Sequence, residues 1–286
     1  MAHRLPHICR RAAPVAALAV VCGLAGPGCW LFRSEPPRPA LRAEKDDDAY
    51  PDDLDSLLAF AERSSREDSS IESLFQAIRA YEKAQRMLRG RSSPTPVFEV
   101  SWKLARACFL ASEIEHDPTE RLGLIQRGED AAESAIRERP DRVEGYYYAA
   151  VLKGRRAEVS GLGFSAMSLA NEVEKLGKRA VVLDPEFDNA SPLRVLAMLY
   201  AKAPPWPTSI GDVDLALEYA DRAVELADYP MNHLIRAEVL IEAGEPGAAR
   251  DELKRVLAAP KHGRWAEEGE RWRPYARKLL DRLESH

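Results

Sequence analysis

The chain has 286 residues, of which 30% are charged and 7% aromatic, and a net charge of −5. That acidic balance argues against non-specific nucleic-acid binding, which needs an excess of positive charge. The length suffices for one domain or one solenoid with a continuous core.

Residues 1–28 read as a signal peptide. Arg4, Arg10 and Arg11 precede the apolar run Ala12 to Ala25, 14 residues broken only by Pro14, which is too short to span a bilayer comfortably and matches a secretory signal. Gly28-Cys29 then resembles the end of a bacterial lipobox, in which the cysteine is acylated and becomes the mature N-terminus. Simple secretion and an uncleaved anchor are the alternatives. Loss of the leader would leave 38 Lys plus Arg against 46 Asp plus Glu, or −8. Cys9 and Cys22 lie in the leader and lipid would consume Cys29, so only Cys108 remains, as a buried small residue and not part of a disulfide framework. Residues 29–53 carry Pro36, Pro37, Pro39, Pro51 and Asp46-Asp47-Asp48, the composition of a solvated tether.

From residue 54 to 286 the pattern is helical throughout. Apolar periodicity predicts helices at about 54–66, 70–89, 97–115, 118–138, 142–159, 165–183, 191–202, 212–227, 231–243, 246–258 and 267–284. No stretch alternates as a strand does. The last helix, with Trp272, Tyr275, Leu279 and Leu280, is expected to cap the end of a stack.

Alternate helices share one signature. Ala77-x3-Tyr81-x2-Ala84, Gly128-x3-Ala132-x2-Ala135, Val173-x3-Gly177-x2-Ala180, Ala216-x3-Ala220-x2-Ala223 and Ala249-x3-Leu253-x2-Val256 have the spacing of a tetratricopeptide (TPR) second helix, with Pro140 and Pro185 placed to end two of them. The preceding helices carry the first-helix pattern at Trp102/Ala105/Arg106/Phe109, Leu193/Leu196/Ala197/Tyr200, Leu234/Ala237/Glu238/Ile241 and, degraded, Tyr146/Ala149/Ala150/Lys153. Small side chains at these places let helices approach closely. Successive equivalents Ala84, Ala135, Ala180, Ala223 and Val256 lie 51, 45, 43 and 33 residues apart, against about 34 in an ordinary unit. The surplus falls between the two helices of each unit, which predicts an all-α, TPR-like α-solenoid of antiparallel helix pairs with enlarged intra-repeat segments on one side.

Catalytic chemistry has little sequence support. His116, His233, His262 and His286 form no zinc-hydrolase motif, and there is no phosphate loop, nucleophile elbow or metal-spaced cysteine pair. The reading is therefore of no enzyme, no cofactor and no metal, with a dispersed catalytic site as a remote alternative. Binding is better served. Tyr146-Tyr147-Tyr148 with Arg155-Arg156 would make an aromatic wall with a cationic end, although two core tyrosines and one exposed one is the plainer account. Phe164 belongs to an apolar loop on the enlarged side, able to line a pocket or to seal the stack. Trp206, in Pro204-Pro205-Trp206-Pro207, is an indole on a rigid turn.

The run SPLRVLAMLYAKAPPWPTSIGDVDLALEYADRAVEL, residues 191–226, followed by NHLIRAEVLIEAG, resembles the TatT-type helical lipoproteins associated with bacterial TRAP transporters. Its sharpest pieces are Pro192-Leu193-Arg194 and Ile210-Gly211-Asp212, and the likeness covers about residues 97–258. The resemblance implies a lipoprotein leader, TPR-like hairpins and an accessory role beside a periplasmic substrate-binding protein.

Together these readings give a non-catalytic, exported, lipid-anchored scaffold facing the periplasm, acylated at Cys29, that binds a protein partner; a homo-oligomer stays open. The alternative is a carrier enclosing a small organic anion or apolar ligand. Tyr147, Arg155, Phe164, Arg194 and Trp206 are the candidate contacts. A closed pocket lined by all five favours the carrier, whereas an open groove favours a protein.

Overall fold

The computed structural model divides the chain into two units, Met1–Pro37 and Arg38–His286. Residues 49–66, 69–89, 94–160, 164–259 and 264–285 are described, all in the second unit. The leader, Cys29 and most of the tether lie outside them.

Among the described residues there are eleven helices: α1 (Leu54–Ser64), α2 (Ile71–Leu88), α3 (Pro94–Ile114), α4 (Pro118–Glu138), α5 (Val143–Ser160), α6 (Phe164–Leu183), α7 (Phe187–Lys202), α8 (Val213–Leu226), α9 (Pro230–Glu242), α10 (Pro246–Ala258) and α11 (Arg264–Glu284). No strand forms among these residues, and an isolated bridge joins Pro205 to Gly211. None of the described helices is long and apolar enough to cross a membrane.

Local chemistry sets the helix starts. Asp53, Ser70, Asp117 and Asp212 each accept a hydrogen bond from a backbone N–H of the first turn they precede, satisfying donors that the helix leaves unpaired. Pro118, Pro230 and Pro246 occupy the first turn of their helices, where a missing N–H costs nothing. Pro140 and Pro185 follow the ends of α4 and α6 by two residues.

Helices pack in sequence as the pairs α1/α2, α3/α4, α5/α6, α7/α8 and α9/α10, with α11 closing on α10. This is the predicted TPR-like solenoid, and the signature residues sit where the repeat requires. Ala84, Ala135, Ala180, Ala223 and Val256 are all buried. Gly128 permits a close approach: a Cβ there would lie 2.9 Å from Cys108 Cβ on α3 and 2.8 Å from Leu152 Cδ1 on α5. Gly177 does the same against Leu196 of α7, at 2.8 Å. Cys108 is the expected buried thiol, and burial pushes its pKa up. Trp272, Leu279 and Leu280 of α11 bury against Leu234, Leu253 and Val256, so the last helix caps the stack.

The surplus residues become longer helices in the early units. α3 and α4 have 21 residues each, whereas α9 and α10 have 13; at about 1.5 Å per residue the former reach about 12 Å further. In the α7/α8 unit the surplus is instead the loop 203–212. There Gly211 passes so close to Ala203 O that an added Cβ would sit 2.0 Å away.

The start of α7 departs from regular geometry. Asp188, Asn189 and Ala190 have φ of 46°, 55° and 65° and form a left-handed turn. For a residue with a Cβ this conformation costs about 1–2 kcal/mol, somewhat less for Asp and Asn. Right-handed helix resumes at Ser191, where the sequence pattern places its start.

Candidate functional site

First helices touch one another along the stack, α3 with α5, α5 with α7 and α7 with α9, while among the described residues no two second helices make comparable contact. The layer whose members lie closer together is the inner side of a curved stack, so α3, α5, α7 and α9 line the inner face. The side chains of that face are therefore drawn from segments some 40 residues apart in sequence.

On this face, α3, α5 and the start of α7 border an open-sided cavity of about 510 Å³. Trp102, Arg106, Phe109 and Leu110 come from α3, Tyr147 and Tyr148 from α5, and Phe187, Asp188 and Asn189 from α7. The spacing of 102, 106 and 109 puts those three on one helical face.

The aromatic rings are in mutual contact. Trp102 stacks on Tyr148 with centroids 6.3 Å apart, Tyr148 meets Tyr147 edge-on at 5.0 Å, and Tyr147 meets Phe187 edge-on at 5.3 Å. Phe109 lies 6.5 Å from Tyr148. A continuous aromatic wall thus runs across three successive units. Burial raises the Tyr147 pKa, so its hydroxyl stays neutral over the ordinary range.

Polar groups edge this wall. Trp102 Nε1 donates to Glu99 at 2.9 Å, and Lys103 Nζ lies 5.6 Å from the indole while pairing with Glu62 at 2.9 Å. Arg106 Nη1 donates to Ser65 O at 2.8 Å, fixing the guanidinium at the cavity edge. Asp188 accepts from Ser191 Oγ at 2.9 Å. The site can therefore offer stacking surface together with fixed donors and acceptors.

Of the four candidate contacts whose side chains are described, Tyr147 is the one among the lining residues. Arg155 pairs with Glu113 and Glu158 at 2.8 and 2.9 Å. Arg194 is engaged by protein groups, described below. Trp206 is 84% exposed on the α7–α8 loop and does not join the others. Phe164 begins α6, and its side chain lies outside the described residues. Among the described side chains, Arg155, Arg194 and Trp206 do not join Tyr147 in lining one pocket. Tyr147 and Tyr148 are buried as the plainer account expects, whereas Tyr146 is partly buried under Arg179 and not exposed, and the two buried rings also face the cavity.

Trp102, Arg106, Phe109, Leu110, Phe187, Asp188 and Asn189 were absent from the sequence-level contacts. Trp102, Arg106 and Phe109 carry a usable signal, since they form the first-helix pattern and first helices line the inner face. Phe187 to Asn189 carry a weaker one, the Asp-Asn pair that tolerates left-handed backbone.

A buried charged cluster joins α4, α5 and α6 away from the cavity lining. Glu129 lies 3.0 Å from Arg156 and 3.9 Å from Lys153, and Lys153 also meets Glu172 and Glu133 at 3.0 and 3.2 Å. Burial outweighs the two cations and pushes the Glu129 carboxyl up to about 7. Among the described residues, no three His, Cys, Asp or Glu side chains are grouped to hold a metal.

The model of the family described as regulator of microtubule dynamics protein 1-3 matches residues 57–191, a span that contains every residue lining the cavity. No curated protein matches the chain. Among solved structures, a thermophilic TPR protein of Thermus thermophilus is 16% identical, with 82% of this chain and 98% of that one covered at a TM-score of 0.57. The MamA protein is 14% identical over 72% of this chain and 90% of its own, at 0.46, and yeast Tom70 12% identical over 84% and 67%, at 0.31. The likeness to the Thermus thermophilus protein bears on the fold alone, and the fold is a TPR-like α-solenoid.

Proposed function

We propose that the chain is a non-catalytic scaffold that holds an extended segment of a protein partner along its inner face, with an apolar or aromatic side chain of that segment in the cavity. The observation that carries this reading is the aromatic wall shared by α3, α5 and α7, because buried aromatic anchors beside fixed polar groups dominate protein recognition. Arg106, Asp188 and Asn189 at the edge suit a peptide's carbonyl and amide groups. Arg155, Arg194 and Trp206 are not among the residues that line the cavity with Tyr147, which weighs on the same side.

The sequence adds where the scaffold would act. The leader, Gly28-Cys29 and the proline-rich tether support export and a lipid anchor at Cys29, with the helical body held off the membrane on the periplasmic side. The TatT-type resemblance supports an accessory role beside a periplasmic solute-uptake system. One observation favours the carrier as a second reading: about 510 Å³ falls within the range of small-molecule sites.

Affinity isolation from the native envelope, with mass spectrometry of both proteins and small molecules, separates the two. The scaffold reading expects a protein retained by the parent and lost from Trp102→Ala. Retention of a small molecule and no protein would replace it with the carrier.

A further inference from the structure

The cavity wall at Asp188 and Asn189 adopts a backbone that its residues do not favour, and something must hold it there. Arg194 does so. Its Nη1 donates to Asn189 O at 2.6 Å and its Nη2 to Asp188 O at 3.3 Å, while Nη2 also donates to Ser191 Oγ. Ser191 Oγ in turn shares its single proton between Asp188 O at 2.7 Å and the Asp188 carboxylate at 2.9 Å. The carbonyls that the left-handed turn removes from the helix ladder are thus satisfied by one guanidinium and one hydroxyl.

Arg194 is itself fixed from the next unit. Nη1 also donates to Asn232 Oδ1 at 2.6 Å, and the guanidinium lies 5.3 Å from the Tyr229 ring. Asn232, at the start of α9, is fully buried. Its Nδ2 donates to Ala223 O and Ala227 O at 2.9 and 2.8 Å, at the C-terminal end of α8. Both amide hydrogens and the amide oxygen are in use, so the side chain has one orientation.

We infer that Arg194 and Asn232 are positioning residues of the cavity: they lock the turn Asp188–Ala190 and make the wall depend on the fourth and fifth helix pairs. Arg194, a candidate ligand contact from sequence, acts on the site through backbone carbonyls and not by touching the occupant. A lysine cannot replace it, since an ammonium lacks the planar fork that reaches two carbonyls and an amide together. The binding consequence rests on the cavity being the partner site, whereas the lock itself does not.

The test uses the full chain and reads hydrogen exchange of the backbone amides from Glu186 to Ser191. Arg194→Met and Arg194→Lys are expected to speed exchange there at least tenfold while unfolding stays cooperative. Adding Ala190→Gly, which relieves the left-handed backbone, should bring exchange back to within about threefold of the parent. A merely structural loss would not be rescued by that glycine. Exchange unchanged in Arg194→Met, or not recovered with Ala190→Gly, overturns the inference. In parallel, binding of 1-anilinonaphthalene-8-sulfonate is compared between the parent and Trp102→Ala; a dye that ignores Trp102 counts against the cavity as a binding site and leaves the exchange result to decide the lock.

Discussion

The rings of Trp102 on α3 and Tyr148 on α5 lie 11° from parallel with centroids 6.3 Å apart, so one aromatic pair joins two successive helix pairs and forms part of the cavity wall. Such a pair contributes about 0.5–1.5 kcal/mol beyond area burial. A double-mutant cycle of Trp102→Leu and Tyr148→Leu, read by urea unfolding, should give a coupling energy in that range. Coupling indistinguishable from zero would mean that the wall is adjacent rings without mutual support.

The repeat register makes a sharper claim at three alanines. Ala135, Ala180 and Ala223 occupy equivalent places in α4, α6 and α8 and are 0%, 0% and 1% exposed. Leucine at each should cost about 1–3 kcal/mol or more by overpacking. Ala248→Leu, at an exposed position of α10, should be nearly neutral because both residues favour helix. Thermal unfolding of the four variants checks the contrast, and three neutral results at the buried positions would refute the register.

His233 gives a dependence on pH. Its Nδ1 lies 2.5 Å from Glu252 Oε2 and its Nε2 2.8 Å from Asp228 Oδ1, so the doubly protonated ring satisfies both carboxylates. The bond to Glu252 is the largest influence and raises the histidine pKa over the opposing effect of burial. Burial alone would raise the Glu252 carboxyl, but His233 and Arg236, which donates to it at 2.7 Å, hold it below the ordinary value. A raised histidine pKa means that the folded state binds the proton more tightly than the unfolded one. Its stabilisation is complete below about 6.5, the unfolded value, and is lost as pH rises through the folded value. Urea midpoints measured from pH 6 to pH 9 should therefore fall more steeply for the parent than for His233→Asn. Parallel curves would show that the histidine does not contribute through its charge.

The lipid anchor is tested at one residue. Wild-type protein is expected in the membrane fraction with an acylated mature N-terminus, and Cys29→Ala in the soluble fraction or unprocessed. Intact mass without acyl groups on Cys29 would contradict the anchor.

Much of the fold was legible because the repeat is a local pattern. Seven or eight consecutive residues suffice to place Gly128, Ala132 and Ala135 on one face of α4, and the same spacing recurs in α2, α6, α8 and α10. The cavity was not legible in the same way. Its walls come from α3, α5 and α7, and their adjacency depends on how successive pairs stack, which no single helix encodes. Tyr147 was found because a run of three tyrosines is conspicuous, whereas Trp102 and Phe109 were read as packing positions of the first helix. The role of Arg194 is hidden in the sequence because the two carbonyls it binds come within reach only once the backbone turns left-handed at Asp188 and Asn189. Trp206 drew notice as an aromatic among prolines, and the fold leaves it on the outer loop.

The most direct measurement of the central claim is photo-crosslinking in the native envelope from benzoylphenylalanine placed at Phe109, on the cavity wall, and at Val182, 73% exposed on the second helix α6. The account predicts a defined protein adduct from position 109 that disappears when Trp102→Ala is added, and no such adduct from position 182. Equal adducts from the two positions, or none from position 109, would contradict a partner held on the inner face.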